Sequence, residues 1–242
     1  MKEENFLIDQ GNSLTKVGIS TSKGFIFLLE TENIESIFEK KIKKPNIVWI
    51  SSVAKEKDFA HLKKLIELKW GSTIKTVVIS DYLDYLPTNY DYKQLGVDRW
   101  LAMLACKNHV NGSCLVIDAG TATTIDLLDT RGKHIGGLIT PGLHLSKKAI
   151  LNGTAIDIEN NEIDAKINLG LNTQEAIDNG ILMSSISLIQ KIFESYREKL
   201  TICLGGGNSN ILSQNLPIPN TVFKNLVLEG LHHLASHVND KD

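Results

Sequence analysis

The sequence predicts an α/β protein built from two similar halves, and three observations carry the prediction. A short apolar run meets an acidic, glycine-containing turn twice, at Asp9-Gln10-Gly11-Asn12-Ser13 and again at Asp118-Ala119-Gly120-Thr121-Ala122. Each occurrence is followed by the same order of apolar strands and amphipathic helices. A two-residue breaker, Asn111-Gly112, falls between the two series and sets the expected domains at 1–112 and 113–242. With 242 residues, 42% of them hydrophobic and 22% charged, the chain can bury one large core or two modest ones.

In the first half, the apolar residues 6–8 run into the first turn and a second run opens at Val17, the pattern of strand, tight turn, strand. Residues 25–29 add a third strand. Apolar residues at helical spacing predict a helix over 34–42. Residues 47–53 read as a strand, and 58–70 as an amphipathic helix with Leu62, Leu65, Ile66 and Trp70 on one face. A strand over 76–79 closes the half, and after a tyrosine-rich loop a helix starts near Val97. The pattern restarts at Cys114 with strand, acidic turn and strand. Arg131-Gly132 makes the next turn, 135–139 the third strand, and Pro141-Gly142 ends it before a helix through Ile150. A long helix over 173–199 leads to a strand over 201–204, the turn Gly205-Gly206-Gly207 and a last helix over 223–237. Two long units make a duplication, unlike the short, numerous repeats of a solenoid.

Composition excludes several classes. The formal net charge is −2 with both signs interspersed, so no global field favours nucleic acid or an anionic membrane. No run approaches the roughly eighteen apolar residues of a membrane span, and the chain reads as cytoplasmic. Cys106, Cys114 and Cys203 have neither the number nor the spacing of a disulfide framework or a zinc knuckle. Cys106 and His109 share a helical face, but two groups do not close a metal site. His144, His232, His233 and His237 read as surface or helix-end residues. No GxxxxGK[ST] occurs, and the late glycine cluster lacks GxGxxG spacing.

The turns carry the chemistry. Glycine lets the backbone bend tightly and approach a ligand, the following amides and hydroxyls aim donors at phosphate oxygens, and the aspartate can hold a cation or its waters. One such hairpin would read as a plain turn; two at matching places in similar halves read as a phosphate site. Gly96-Val97-Asp98-Arg99-Trp100 is the second constellation. There Asp98 and Arg99 open a helix, where the aspartate complements the helix dipole and either caps the helix or serves a site.

Five ordered strings, DQGNSLTK from Asp9, GVDRW from Gly96, IDAGTATTID from Ile117, GGLITPG from Gly136 and NTQEAIDNG from Asn172, together resemble type III pantothenate kinases, in the branch that includes Bvg accessory factor. That family lies within the superfamily of acetate and sugar kinases, heat-shock chaperones and actin. The resemblance implies two actin-like (ribonuclease H-like) domains with a nucleotide cleft between them, and ATP-dependent phosphorylation of pantothenate to 4'-phosphopantothenate, the first step of coenzyme A biosynthesis.

By the same resemblance, Asp98 is the general base. The segment Asp9, Gln10, Gly11, Asn12, Ser13, Leu14, Thr15 and Lys16 binds ATP, with Asp9 on the divalent metal, Mg2+ or another. Thr121 adds an ATP contact and Asp118 holds a monovalent cation, K+ or NH4+. Tyr90, Gly96, Val97, Asp98, Arg99 and Thr173 bind pantothenate, and the enzyme is a homodimer. Lys16 either offsets phosphate charge or is a solvated edge residue. Thr173 follows Asn172 in a capping pattern with Glu175, a role that coexists with substrate contact. Where relatives place a substrate tyrosine this sequence has Asn89, so Tyr90 or Tyr92 takes that part. Two alternatives remain: a kinase of this fold acting on another small hydroxylated acceptor, and a non-catalytic nucleotide-binding regulator.

Overall fold

In the computed structural model, which describes residues 5–40, 42–158, 162–196 and 199–238, the chain divides into two compact units. One comprises Met1–His109 with Asn225–Asp242, the other Val110–Lys224.

The strands of the first unit are β1 (Asn5–Gln10), β2 (Thr15–Thr21), β3 (Gly24–Thr31), β4 (Ile47–Ser52) and β5 (Thr73–Thr76), in the sheet order β3-β2-β1-β4-β5. The first three form an antiparallel meander, while β4 and β5 run parallel to β1. Parallel neighbours need a crossover, and α2 (Glu56–Lys69) provides it between β4 and β5. Phe6, Ile8, Val48 and Ile50 pack with Leu62, Ile66 and Trp70 on one face of the sheet. The alternating residues Leu7 and Trp49 are fully buried as well. Burial on both faces is why β1 and β4 read as unbroken apolar runs. The helices α3 (Val97–His109) and α7 (Leu226–Val238) pack against each other and against these strands.

The C-terminal helix corrects the expected division of the chain. Residues from Asn225 onward belong with the first half, not with a 113–242 domain. The apolar stripe of α7, including Leu228, Leu231 and Leu234, is buried in this unit. At Gly230 a side chain would collide with the backbone of Leu101, so glycine permits the close approach of α7 to α3. Periodicity shows that a helix has a buried face without saying which sheet covers it.

In the second unit, β6 (Cys114–Ala119), β7 (Ala122–Leu128), β8 (His134–Pro141), β9 (Thr201–Gly205) and β10 (Asn220–Val222) are ordered β10-β9-β6-β7-β8. The pairing scheme repeats that of the first unit: an antiparallel meander, then two strands parallel to its first member. The duplicated order read from the sequence is therefore a duplicated fold. The helices are α4 (Leu143–Gly153), α5 (Thr173–Ser195) and α6 (Ser209–Asn215). Leu115, Ile117, Ile125, Leu182, Ile186, Ile202 and Leu204 lie in the core of this unit.

Several boundaries differ from the sequence reading. The helix expected over 34–42 is a single turn, α1 (Ser36–Glu39), and Lys41 lies outside the described residues. The strand expected over 76–79 ends at Thr76, and Ile79–Tyr82 forms a 3-10 turn. α5 ends at Ser195, with Arg197 and Glu198 outside the described residues. α6 and β10 were not anticipated, because seven and three residues are too few to display a period.

Of the histidines expected at the surface or at helix ends, His144 is exposed and His237 lies exposed in the last turn of α7, while His232 and His233 are partly buried and form a cluster with His237 and His109. On α7, the His233 ring lies 5.7 Å from that of His232 and 6.3 Å from that of His237, and it is 5.9 Å from His109 of α3. His232 Nδ1 is 2.7 Å from Ser20 Oγ of β2, and His109 Nε2 is 2.6 Å from Glu229 Oε2. Burial, followed by the neighbouring imidazoles, lowers the pKa of His233 to about 4. Burial, then His237, lowers that of His232.

Because these folded-state values lie below the ordinary one, the unfolded chain binds more protons. The neutral rings' contribution to stability is full above about pH 6.5 and is lost as the pH falls toward about 4. Urea unfolding should therefore show a loss of roughly 1 kcal/mol between pH 7.5 and pH 5, limited by solvent screening at the half-buried rings. His233→Asn should flatten that dependence, and an unchanged slope would clear His233 of the effect.

Candidate active site

The first hairpin sits at the end of β1, where the antiparallel β2 and the parallel β4 flank it. Register places Asp9 opposite Lys16 on one side and Ser51 on the other, with Asp9 half-buried. An acid and a base directly opposite in an antiparallel pair share a face of the sheet. The turn closes through Gly11 N donating to Leu14 O at 3.0 Å, and Asn12, Ser13 and Leu14 stand exposed at its tip. Thr15 is buried as β2 begins. Gln10 has its side chain turned inward: Oε1 accepts from Ser52 Oγ at 2.9 Å and Nε2 donates to Asp58 O at 3.2 Å. That amide ties the hairpin to β4 and the first turn of α2, so the tip of the turn is the part of this string presented to solvent.

The GVDRW string forms the head of α3. Asp98 Oδ1 accepts from Arg99 N at 2.8 Å, and Gly96 O accepts from Trp100 N at 3.1 Å. A Cβ at Gly96 would meet the Asp98 carboxylate, so a side chain there would have to turn Asp98 aside. Arg99 is 5% exposed, and its guanidinium carbon lies 5.2 Å from the Tyr90 ring centroid, within cation–π range. Trp100 Nε1 donates to Leu86 O at 3.2 Å and Lys107 Nζ to Tyr85 O at 2.6 Å, pinning the tyrosine-rich loop onto α3. The loop thus delivers Tyr90 to Arg99.

Beside them opens a cavity of about 540 Å3 lined by Ser52, Val77, Ile79, Tyr92, Gly96 and Val97 among others. It lies past the carboxyl ends of β4 and β5, where parallel α/β sheets collect ligands. Tyr92, the other candidate from the sequence, lines this cavity, so the two tyrosines flank different parts of one neighbourhood.

The second hairpin is held by three backbone hydrogen bonds, one internal and two from other segments. Gly120 N donates to Ala122 O at 3.1 Å within the turn, Gly142 N to Thr121 O at 3.0 Å, and Asn208 N to Ala119 O at 2.9 Å. Asp118 pairs in register with Gly205, and Gly206 follows at φ 83°. A Cβ on Gly206 would stand 2.5 Å from Asp118 Oδ1 and 2.6 Å from the Ala119 backbone. On Gly142 it would strike the carbonyls of Gly120 and Thr121. The late glycine cluster is therefore packed against the aspartate of the second hairpin, a contact the sequence did not reveal. Thr121 remains exposed.

Thr173 opens α5, also in the second unit. Asn172 Oδ1 accepts from Glu175 N at 2.9 Å and Glu175 Oε2 from Leu171 N at 2.9 Å, a reciprocal cap. Thr173 lines a cavity of about 730 Å3 with Thr140, Pro141, Ile150 and Ile156 among others.

Among the described residues no group of three His, Cys, Asp or Glu side chains could hold a metal ion. Asp9 and Asp118 are instead single carboxylates beside tight turns. A lone carboxylate such as Asp9 suits a hydrated divalent ion whose remaining ligands are phosphate oxygens and water, and not an all-protein cage.

Paired meander-plus-parallel sheets, each with an acidic glycine turn closing its central strand, place the protein in the class of the actin-like fold. Solved structures agree on the fold. A Baf family protein from Campylobacter jejuni superimposes with TM-score 0.64 at 22% identity, covering 97% of this chain and 99% of that one. MreB 5 of Spiroplasma citri, bound to AMPPNP, gives 0.50 at 11% identity, covering 100% and 98%.

The chain belongs to the type III pantothenate kinase family, whose model matches residues 5–195. A type III pantothenate kinase of Nitrosomonas eutropha is 30% identical over 99% of this chain and 98% of its own length. One of Psychrobacter cryohalolentis is 36% identical over 80% and 78%. The protein is accordingly a pantothenate kinase, acting in coenzyme A biosynthesis. No helix among the described residues is long and apolar enough to cross a membrane.

Gly206→Ala should force Asp118 and the Ala119 backbone apart and place a side chain at positive φ, costing roughly 1–3 kcal/mol of stability and lowering turnover at least about tenfold. Gly207→Ala, which meets open space, should leave turnover within about twofold. Equal turnover in the two variants would show that the packing on Asp118 is irrelevant to activity.

Proposed function

We propose that the chain transfers the γ-phosphoryl group of ATP to the terminal hydroxyl of pantothenate, with Asp98 as general base and Arg99 as the carboxylate anchor. The observation that supports these roles best is the head of α3, where Asp98 and a buried Arg99 stacked on Tyr90 stand beside a cavity of about 540 Å3. A guanidinium shielded from water grips a carboxylate more strongly than an exposed one, and its planar fork orients the bound acid. Asp98 accepts the hydroxyl proton as the oxygen attacks phosphorus, and the γ-phosphoryl group leaves ADP. The transition state is loose, so positioning and charge neutralisation supply most of the acceleration.

Asp9, with Gln10, Gly11, Asn12, Ser13, Leu14, Thr15 and Lys16, cradles the triphosphate. The exposed turn supplies backbone and hydroxyl donors, and Lys16, opposite Asp9 in register, offsets phosphate charge. Mg2+ held near Asp9 neutralises the charge that develops on the phosphate oxygens. Thr121 contacts ATP, and Asp118 holds K+ or NH4+. Gly96 and Val97 lend backbone to the pantothenate pocket, and Thr173 adds a hydroxyl.

The homodimer is part of the same proposal. Leu138 and Ile139 of β8 are 45% and 60% exposed, and the cavity at Thr173 is walled largely by apolar side chains, an arrangement that a second copy would cover. Three buried cysteines, none of them in a disulfide, suit a cytoplasmic enzyme.

Asp98→Asn should lower kcat about a hundred- to ten-thousand-fold while KM for ATP and pantothenate changes little, read by coupled ADP release. Near-normal turnover would remove the base assignment. Asp118→Asn should abolish the activation of ADP release by K+ or NH4+, and a variant still activated in full would move the cation elsewhere.

A further inference from the structure

The polypeptide between α4 and α5 is gripped by buried polar side chains that no catalytic role requires. Lys147 of α4 is 1% exposed, and its Nζ lies 2.9 Å and 3.2 Å from the two carboxylate oxygens of Asp178 on α5, which is wholly buried. The same ammonium donates to Glu162 O at 2.6 Å. The next residue of α5, Asn179, is also buried and takes two further holds. Its Oδ1 accepts from Lys166 N at 2.7 Å, and its Nδ2 donates to Asn168 Oδ1 at 2.8 Å. Beyond them Gly170 is pressed onto the first turn of α5, where a Cβ would meet the backbone of Glu175 and Ala176. Residues 162–170 are thus fixed at four points, and three residues later the chain reaches Thr173.

A buried ion pair is a costly way to join two helices, since a well-packed apolar pair often serves as well or better. What the pair adds here is direction. An ammonium can hold the Glu162 carbonyl at one place along the segment, whereas Ile163 and Ala165, which also pack inward, would tolerate sliding.

We infer that Lys147, Asp178 and Asn179 are positioning residues that set the register of residues 162–172 on α5 and thereby the placement of the Thr173 hydroxyl for pantothenate. The inference rests on the reading of Thr173 as a substrate contact. None of the three residues touches substrate.

The test is steady-state kinetics on the full chain with Lys147→Met/Asp178→Leu, which keeps the site apolar and filled but cannot hold Glu162, alongside Asn179→Leu, which removes the other grip and spares the ion pair. The expected result is a KM for pantothenate raised about five- to twentyfold, with kcat and KM for ATP within about threefold. If the double variant does not fold, Asn179→Leu carries the same expectation. An unchanged KM for pantothenate, or a fall in kcat with both KM values disturbed, overturns the inference by showing a purely structural role. Thr173→Val is measured in parallel. If it leaves KM for pantothenate unchanged, the Thr173 reading fails by itself, while a raised KM in the double variant still supports positioning of residues 162–172.

Discussion

The second hairpin depends on backbone coming closer to backbone than any side chain allows. Asp118 lies against Gly206, and the turn at Gly120 and Thr121 lies against Gly142, with no room for a Cβ at either glycine. Two loops remote in sequence, one opening α4 and one opening α6, are thereby locked to the end of β6. The Asp118 side chain is thereby confined by backbone on the side of Gly206, whatever its own torsions allow.

The first hairpin reaches a comparable rigidity by other means. Gln10 spends its amide on Ser52 and Asp58, tying the turn to β4 and α2 through side-chain hydrogen bonds. The contrast separates two copies of one motif. The turn from Asp9 projects an exposed tip of Asn12, Ser13 and Leu14, while the turn from Asp118 has backbone of neighbouring segments bonded to Ala119 and Thr121, with the Thr121 side of its tip still exposed. Shared topology places both carboxylates at the end of a central strand, and local packing then gives them different surroundings.

The placement of α7 has a related logic. Repeat topology would leave this helix with the second half, yet its buried face and Gly230 fit it to α3 and to the first sheet. In doing so it gathers His232, His233 and His237 beside His109 and Ser20 in partly dehydrated surroundings that disfavour the charged ring. Protonation of these rings would therefore act against the packing of α7 on the first unit.

By itself the sequence determined the two-unit α/β plan, the strands bearing both acidic turns, the helix head carrying Asp98 and Arg99, and the family. These follow from local signals: period-two and period-3.6 patterns, turn glycines, and short strings whose residue types are dictated by phosphate and carboxylate chemistry. Tertiary structure decided what depends on residues far apart in the chain. It took α7 into the first unit, shortened the helix near Ser36, and made room for α6 and β10, which are too short to announce themselves. It also turned Gln10 inward, stacked Tyr90 on Arg99, and buried Lys147 against Asp178. A sequence records the character of each side chain, but the partner that satisfies a buried amide, guanidinium or ammonium is chosen only when the elements pack.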